Sequence, residues 1–124
     1  MGYRSEVFYG AEFEDEAKAR AAVIAAKLKF DNLWDMRLRL DGSVLYFHED
    51  SIKWYDDDPY VQFIKDLFAF FGDELGAGFI YYRIGEETED MDYDENFDEH
   101  DRINKLRDVY IVRELAVPFG GEKI

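Results

Sequence analysis

The run from Met36 to Tyr55, MRLRLDGSVLYFHEDSIKWY, decides how this chain folds. Met36, Leu38 and Leu40 alternate with Arg37 and Arg39, and such alternation marks a strand with one buried face. Asp41-Gly42 follows, a dipeptide suited to a tight hairpin turn because glycine takes positive φ without strain. The β-branched and aromatic residues from Val44 onward read as a second strand. Residues 36–49 are therefore expected to form an antiparallel hairpin turning at Asp41-Gly42. Residues 31–35 are open to a different reading, as an extension of the helix before them.

Upstream, residues 3–13 are rich in Tyr, Val and Phe and read as a first strand. Glu14, Asp15 and Glu16 then open a helix that closes near Lys27 and Lys29, the charge order that the helix macrodipole favours. Ala17, Ala21, Ile24 and Leu28 make a narrow apolar stripe, expected to lie against the sheet. Downstream, Asp58-Pro59 opens a second helix, the acid capping and the proline fitting the first turn. Its apolar face is Tyr60, Ile64, Leu67 and Phe71, joined by Phe63 and Phe68, and Gly72 and Gly76 help to end it. GFIYYRI at 78–84 is a fourth strand and DVYIVRELAV at 108–117 a fifth. The element order predicts an α+β fold: an antiparallel sheet of about five strands with two helices on one face. The plan is ferredoxin-like (β-α-β-β-α-β) plus an extra strand. Residues 1–124 read as a single domain, with 86–101 an acidic loop or insertion between the last two strands.

Composition narrows the function. Hydrophobic residues are 48% of the chain and aromatics 18%, so a packed core is expected. Net charge is −14, from 29 acids and 15 basic residues. That excess argues against direct binding to nucleic acid phosphates or anionic membranes and favours cationic partners. There is no cysteine, hence neither a disulfide framework nor a thiolate metal site. The opening residues carry no signal-peptide pattern, and no apolar run reaches membrane-spanning length. A cytoplasmic setting is the natural expectation. Nucleophiles are scarce: serine stands only at 5, 43 and 51, and histidine only at 48 and 100. His48 reads as a partly buried structural residue of a strand. No phosphate-binding, dinucleotide or G-x-S-x-G motif appears, so a non-enzymatic protein without cofactors is predicted.

The densest feature is residues 86–101, with ten carboxylates and no lysine or arginine. Asp90, Asp92 and Asp94 have the D-x-D-x-D spacing of a calcium loop, with Asp98 and Asp101 at its ninth and twelfth places. The sixth place holds Glu95 where the loop needs glycine, so no dedicated metal is expected. A solvated loop is the simplest alternative, but Met91, Tyr93 and Phe97 have little use in one. Imitation of nucleic acid is a third reading. Extended, the run carries one charge per about 5 Å, sparser than a DNA strand at about 3.4 Å. A second cluster of Glu49, Asp50, Asp56, Asp57 and Asp58 supplies the missing density only if the fold brings it alongside.

The opening MGYRSEV, the KWY of IKWYDDDPYVQ and the strand end RIGEETED together resemble small proteins encoded in tailed-phage and prophage genomes. The resemblance rests on Gly2, Tyr3, Arg4 and Ser5; Lys53, Trp54 and Tyr55; and Arg83, Ile84, Gly85 and Glu86. It implies a product made in an infected bacterial cell, where small acidic phage proteins bind and block host enzymes or defence systems. The expected partner is a basic host protein, such as a nucleic-acid-binding or defence protein, met by DNA mimicry through Glu86, Glu87, Glu89, Asp90, Asp92, Tyr93, Asp94, Glu95, Phe97, Asp98, Asp56, Asp57 and Asp58. Two alternatives stand beside it: a nucleotide-signal pocket using Arg4, Lys53 and Arg83, and a self-assembling protein whose interface uses surplus aromatics such as Phe70.

Overall fold

The computed structural model describes residues 4–30, 37–87, 90–95, 110–111, 115–116 and 120–123. In chain order these give β1 (Arg4–Glu12), α1 (Glu16–Lys29), β2 (Arg39–Asp41), β3 (Val44–Lys53), α2 (Pro59–Ala69), a π-helical turn (Phe70–Glu74), β4 (Gly78–Ile84), β5 (Met91–Glu95), β6 (Tyr110–Ile111), β7 (Leu115–Ala116) and β8 (Glu122–Lys123). A six-stranded antiparallel sheet has the order β5-β4-β1-β3-β2-β8. Its inner four, β4-β1-β3-β2, are two interleaved β-α-β units, the ferredoxin-like arrangement that the element order predicts. No helix among the described residues is long and apolar enough to cross a membrane.

The hairpin forms as the alternation requires. Leu40 faces Leu45 and Asp41 faces Val44, leaving Gly42 and Ser43 as the two-residue turn. Gly42 takes φ +59° at the first turn position, so the turn lies one residue further along than Asp41-Gly42. Asp15 caps α1 by accepting from the Lys18 N–H, and Asp58 caps α2 by accepting from the Tyr60 N–H. The core lies on one face of the sheet. Val7, Tyr9 and Ala11 of β1, with Leu45 and Phe47 of β3, pack against Val61, Ile64, Leu67 and Phe68 of α2. The opposite face is also closed where Phe8, Val44, Tyr46 and Ile80 are buried.

Three expectations need correction. The α1 stripe of Ala17, Ala21, Ile24 and Leu28 points outward, with Ile24 62% and Leu28 79% exposed. The buried face is instead Ala19, Ala22, Val23 and Ala26, because alanine spacing alone cannot tell two small-residue faces apart. The fifth strand is not at 108–117. The strand that pairs with β4 is β5, inside the acidic segment, while β6 and β7 pair with each other in a separate two-stranded sheet. The other residues of 108–117, and 96–101 of the acidic segment, lie outside the described residues. Phe70 is not a surplus surface ring. It is 9% exposed, edge-on to Phe30, with the Lys29 ammonium 5.4 Å from its centroid.

At the β2 edge, β8 docks through tight backbone contact. The Gly121 N–H donates to the Tyr46 hydroxyl at 3.1 Å, and Arg39 Nη1 donates to the Gly121 carbonyl at 3.2 Å. A Cβ at Gly121 would lie 2.2 Å from the Leu40 carbonyl oxygen. Gly121→Ala is therefore expected to detach β8, raising amide exchange at Arg39 and Leu40 with little effect at β1. The orientation of α1 makes a second prediction. Ala26→Leu should overpack the interface and cost about 1–3 kcal/mol, whereas Leu28→Ser should change stability by less than about 0.5 kcal/mol. Denaturant titration separates the two.

Candidate acid-rimmed cleft

The hairpin between β4 and β5 positions the acidic segment. Its turn is closed by the Gly85 N–H donating to the Asp90 carbonyl at 2.7 Å and the Asp90 N–H donating to the Glu87 carbonyl at 3.1 Å. The register Arg83↔Asp92, Tyr82↔Tyr93 and Tyr81↔Asp94 sends Asp92 and Asp94 to the helix side of the sheet and Tyr93 to the other. On that other side Tyr93 stands against Tyr82, ring centroids 4.8 Å apart. β5 is the edge strand of the sheet, and Met91 and Tyr93 are each half exposed.

Arg83 organises the site. Its Nη2 reaches Asp90 Oδ1 at 2.6 Å, its Nε reaches Asp92 Oδ2 at 2.7 Å, and its Nη1 donates to the Ser5 hydroxyl at 3.1 Å. With 13% of its side chain exposed, the guanidinium depends on these acceptors, which hold it more firmly protonated than an ordinary arginine. Across the cleft, Lys65 Nζ meets Asp56 Oδ1 at 2.6 Å and draws that carboxyl below the usual aspartate range. Trp54, Tyr55 and Tyr81 complete a cleft of about 440 Å³ lined also by Asp56, Lys65, Arg83, Asp90 and Asp92. Burial pushes the Tyr81 phenol up to about 12, so the ring stays neutral at physiological pH.

The fold thus brings together two acidic stretches that lie more than 30 residues apart: Asp56 from the β3–α2 loop, and Asp90 of the β4–β5 turn with Asp92 of β5. It also divides the predicted binding residues by task. Glu86 accepts from the Arg4 backbone N–H at 2.8 Å, Asp58 is the α2 cap, and Asp90 and Asp92 hold Arg83. Asp57 and Asp94 carry exposed carboxylates, and Tyr93 an exposed ring. Glu87 belongs to the turn, and Glu89, Phe97 and Asp98 lie outside the described residues. Glu95 is different again: its Oε2 is shielded from water without a hydrogen-bond partner, and desolvation raises its carboxyl above the usual range.

The three cations weighed for a nucleotide pocket do not converge on the cleft. Arg4 and Lys53 face each other at the ends of β1 and β3, Arg4 Nη1 donates to the Ser51 carbonyl, and only Arg83 lines the cavity. The contribution of Lys65 and Tyr81 was hidden in the sequence, since each sits in an apolar run and joins the site only through α2 and β4. Fold and site together define a small α+β module with an aromatic-floored, acid-rimmed cleft beside an exposed edge strand. Comparison with known protein families, with characterised proteins and with solved structures found no match to this chain.

Removing both Arg83 partners should destabilise the fold despite lowering the net charge. Asp90→Asn with Asp92→Asn leaves a mostly buried guanidinium without its carboxylates, at an expected cost of about 1–3 kcal/mol, while Asp57→Asn should be neutral in the same denaturation assay. Glu95 predicts the opposite sign. A carboxyl raised in the folded state binds its proton more tightly than in the unfolded chain, so its ionised form costs stability above that pKa. Glu95→Gln should raise Tm at neutral pH, and the gain should fade as acidification protonates the wild-type carboxyl.

Proposed function

We propose that this protein is a non-enzymatic binding module that captures a basic partner protein through the β5 edge and the adjoining cleft. The observation that carries this reading is the meeting of Asp56 with Asp90 and Asp92 around Trp54, Tyr55 and Tyr81. Aromatic faces and carboxylates side by side suit lysine and arginine side chains, which gain cation–π attraction and ion pairing in one place. As the edge strand among the described residues, β5 can take an extended segment as a further strand. Met91 and Tyr93 provide apolar contact along the same edge. The net charge of −14 speeds encounter with a cationic surface.

Capture of basic side chains is better supported than imitation of duplex DNA. Arg83 and Lys65 neutralise part of the cleft's charge, and the extended run is sparser in charge than a DNA strand. In the setting implied by the phage resemblance, the partner is a basic host protein, such as a nucleic-acid-binding or defence protein, and binding inhibits it.

Affinity capture from bacterial lysate with mass spectrometry, followed by kinetics on the captured partner, tests the proposal. Three neutralisations that spare the Arg83 network, Asp57→Asn, Glu87→Gln and Asp94→Asn together, should slow association and flatten its salt dependence. Tyr93→Ala should instead speed dissociation. If captured proteins are not enriched in basic ones, or if both variants keep wild-type kinetics and salt dependence, the proposal is wrong.

A further inference from the structure

On the opposite face of the sheet from the cleft, we infer a divalent-cation site formed by Glu6, His48 and Asp50. The three residues come from two strands that meet through a β-bulge. β1 and β3 pair Ser5 with Ile52 and Val7 with Glu49, so Asp50 and Ser51 of β3 together oppose Glu6. A bulge bends its strand and re-aims the side chains around it. Here the result is that two carboxylates converge on one imidazole nitrogen. Glu6 Oε2 lies 2.8 Å and Asp50 Oδ1 3.4 Å from His48 Nε2, and all three ligand atoms fall within 4.8 Å of one another.

The 3.4 Å separation is that of neighbouring ligands on one metal ion, and the 2.8 Å one, a hydrogen bond between carboxylate and imidazole, need open only slightly to admit one. Bonds of about 2.0–2.2 Å to zinc in a tetrahedron place adjacent donors about 3.3–3.6 Å apart. A hydrogen on Nε2 is directed at one oxygen at a time, whereas a cation on the nitrogen lone pair attracts both carboxylates. The site is also held and open in the right places. Phe8, fully buried, sets its ring edge-on to the imidazole at 6.3 Å, and Glu6 and His48 keep only 17% and 24% of their side chains exposed. The Asp50 side chain is 86% exposed, which gives the ion an entry path and leaves room for water as a further ligand.

One imidazole and two carboxylates choose the class of ion. Calcium takes six to eight oxygens, more than this set supplies. Imidazole suits zinc, nickel, copper and iron, so the site belongs to borderline transition ions of the zinc type. The pattern is absent from the linear sequence as a motif, because Glu6 is 42 residues from His48 and only the β1–β3 register joins them.

The test uses the full chain, stripped with chelator, and Zn²⁺ and Co²⁺ as probes. Calorimetry should give one Zn²⁺ per chain, and Co²⁺ should develop a visible d–d band that Zn²⁺ abolishes and excess Ca²⁺ does not. His48→Gln should lose the band. Asp50→Asn, at an exposed position that leaves the fold intact, should weaken binding at least about tenfold. The triple variant Asp57→Asn, Glu87→Gln, Asp94→Asn should bind as wild type. The inference is overturned if wild type binds no Zn²⁺, if Asp50→Asn and His48→Gln bind as wild type does, or if the triple variant is the one that loses the ion. Because Glu6, His48 and Asp50 line no part of the cleft, loss of the ion and loss of partner capture are read independently.

Discussion

The antiparallel pairing of β1 with both β3 and β4 is the contact on which the other elements depend. β1 is flanked along nearly its whole length, from Glu12↔Val44 to Arg4↔Lys53 on one side and from Glu12↔Gly78 to Glu6↔Ile84 on the other. Its alternate residues Val7, Tyr9 and Ala11 form the floor under the helices. Tyr9 lies at the centre of that floor, stacked on Phe68 at 5.1 Å and on Tyr81 at 4.4 Å. Burial raises its phenol far above the ordinary tyrosine range, so the hydroxyl remains neutral in the core. The strands that carry candidate residues, β3, β4 and β5, lie one or two places from β1 in the sheet.

That dependence explains why the two candidate surfaces occur where they do. Arg83 stands opposite Val7 and turns to the helix side, where Ser5 of β1 helps fix its guanidinium. Glu6, between them in sequence, turns to the other side and meets His48. Adjacent residues of one strand therefore contribute to two different sites on two faces, a direct consequence of the period-two geometry of a strand. The bulge opposite Glu6 adds one residue to β3 and with it the third ligand of the cation site.

The high charge is compatible with a stable fold because the structure assigns part of it to internal work. Asp15 and Asp58 cap helices, Glu86 satisfies a strand-end amide, and Asp90 and Asp92 neutralise Arg83. These carboxylates contribute local hydrogen bonds that offset some of the repulsion expected of a strongly acidic chain. Of the remainder, the carboxylates along β5 also guard an otherwise exposed edge strand against unwanted pairing with other chains.

The sequence by itself determined the hairpin, both helices, the Asp58 cap of α2, and the β-α-β-β-α-β order, since these follow from period, turn chemistry and capping within a few residues. The apolar face of α2 was equally legible, because Phe63, Ile64, Leu67 and Phe68 are large and leave one orientation. On α1 the alanines permitted two faces, and only contact with the sheet chose Ala19, Ala22, Val23 and Ala26. The acidic segment misled for a related reason: its charges read as solvent-seeking loop, yet residues 91–95 alternate, and pairing with β4 makes them a strand. The joining of Asp56 to Asp92, and of Glu6 to His48, was decided by tertiary structure alone. Strand register is a long-range property, and no local pattern in either partner specifies it.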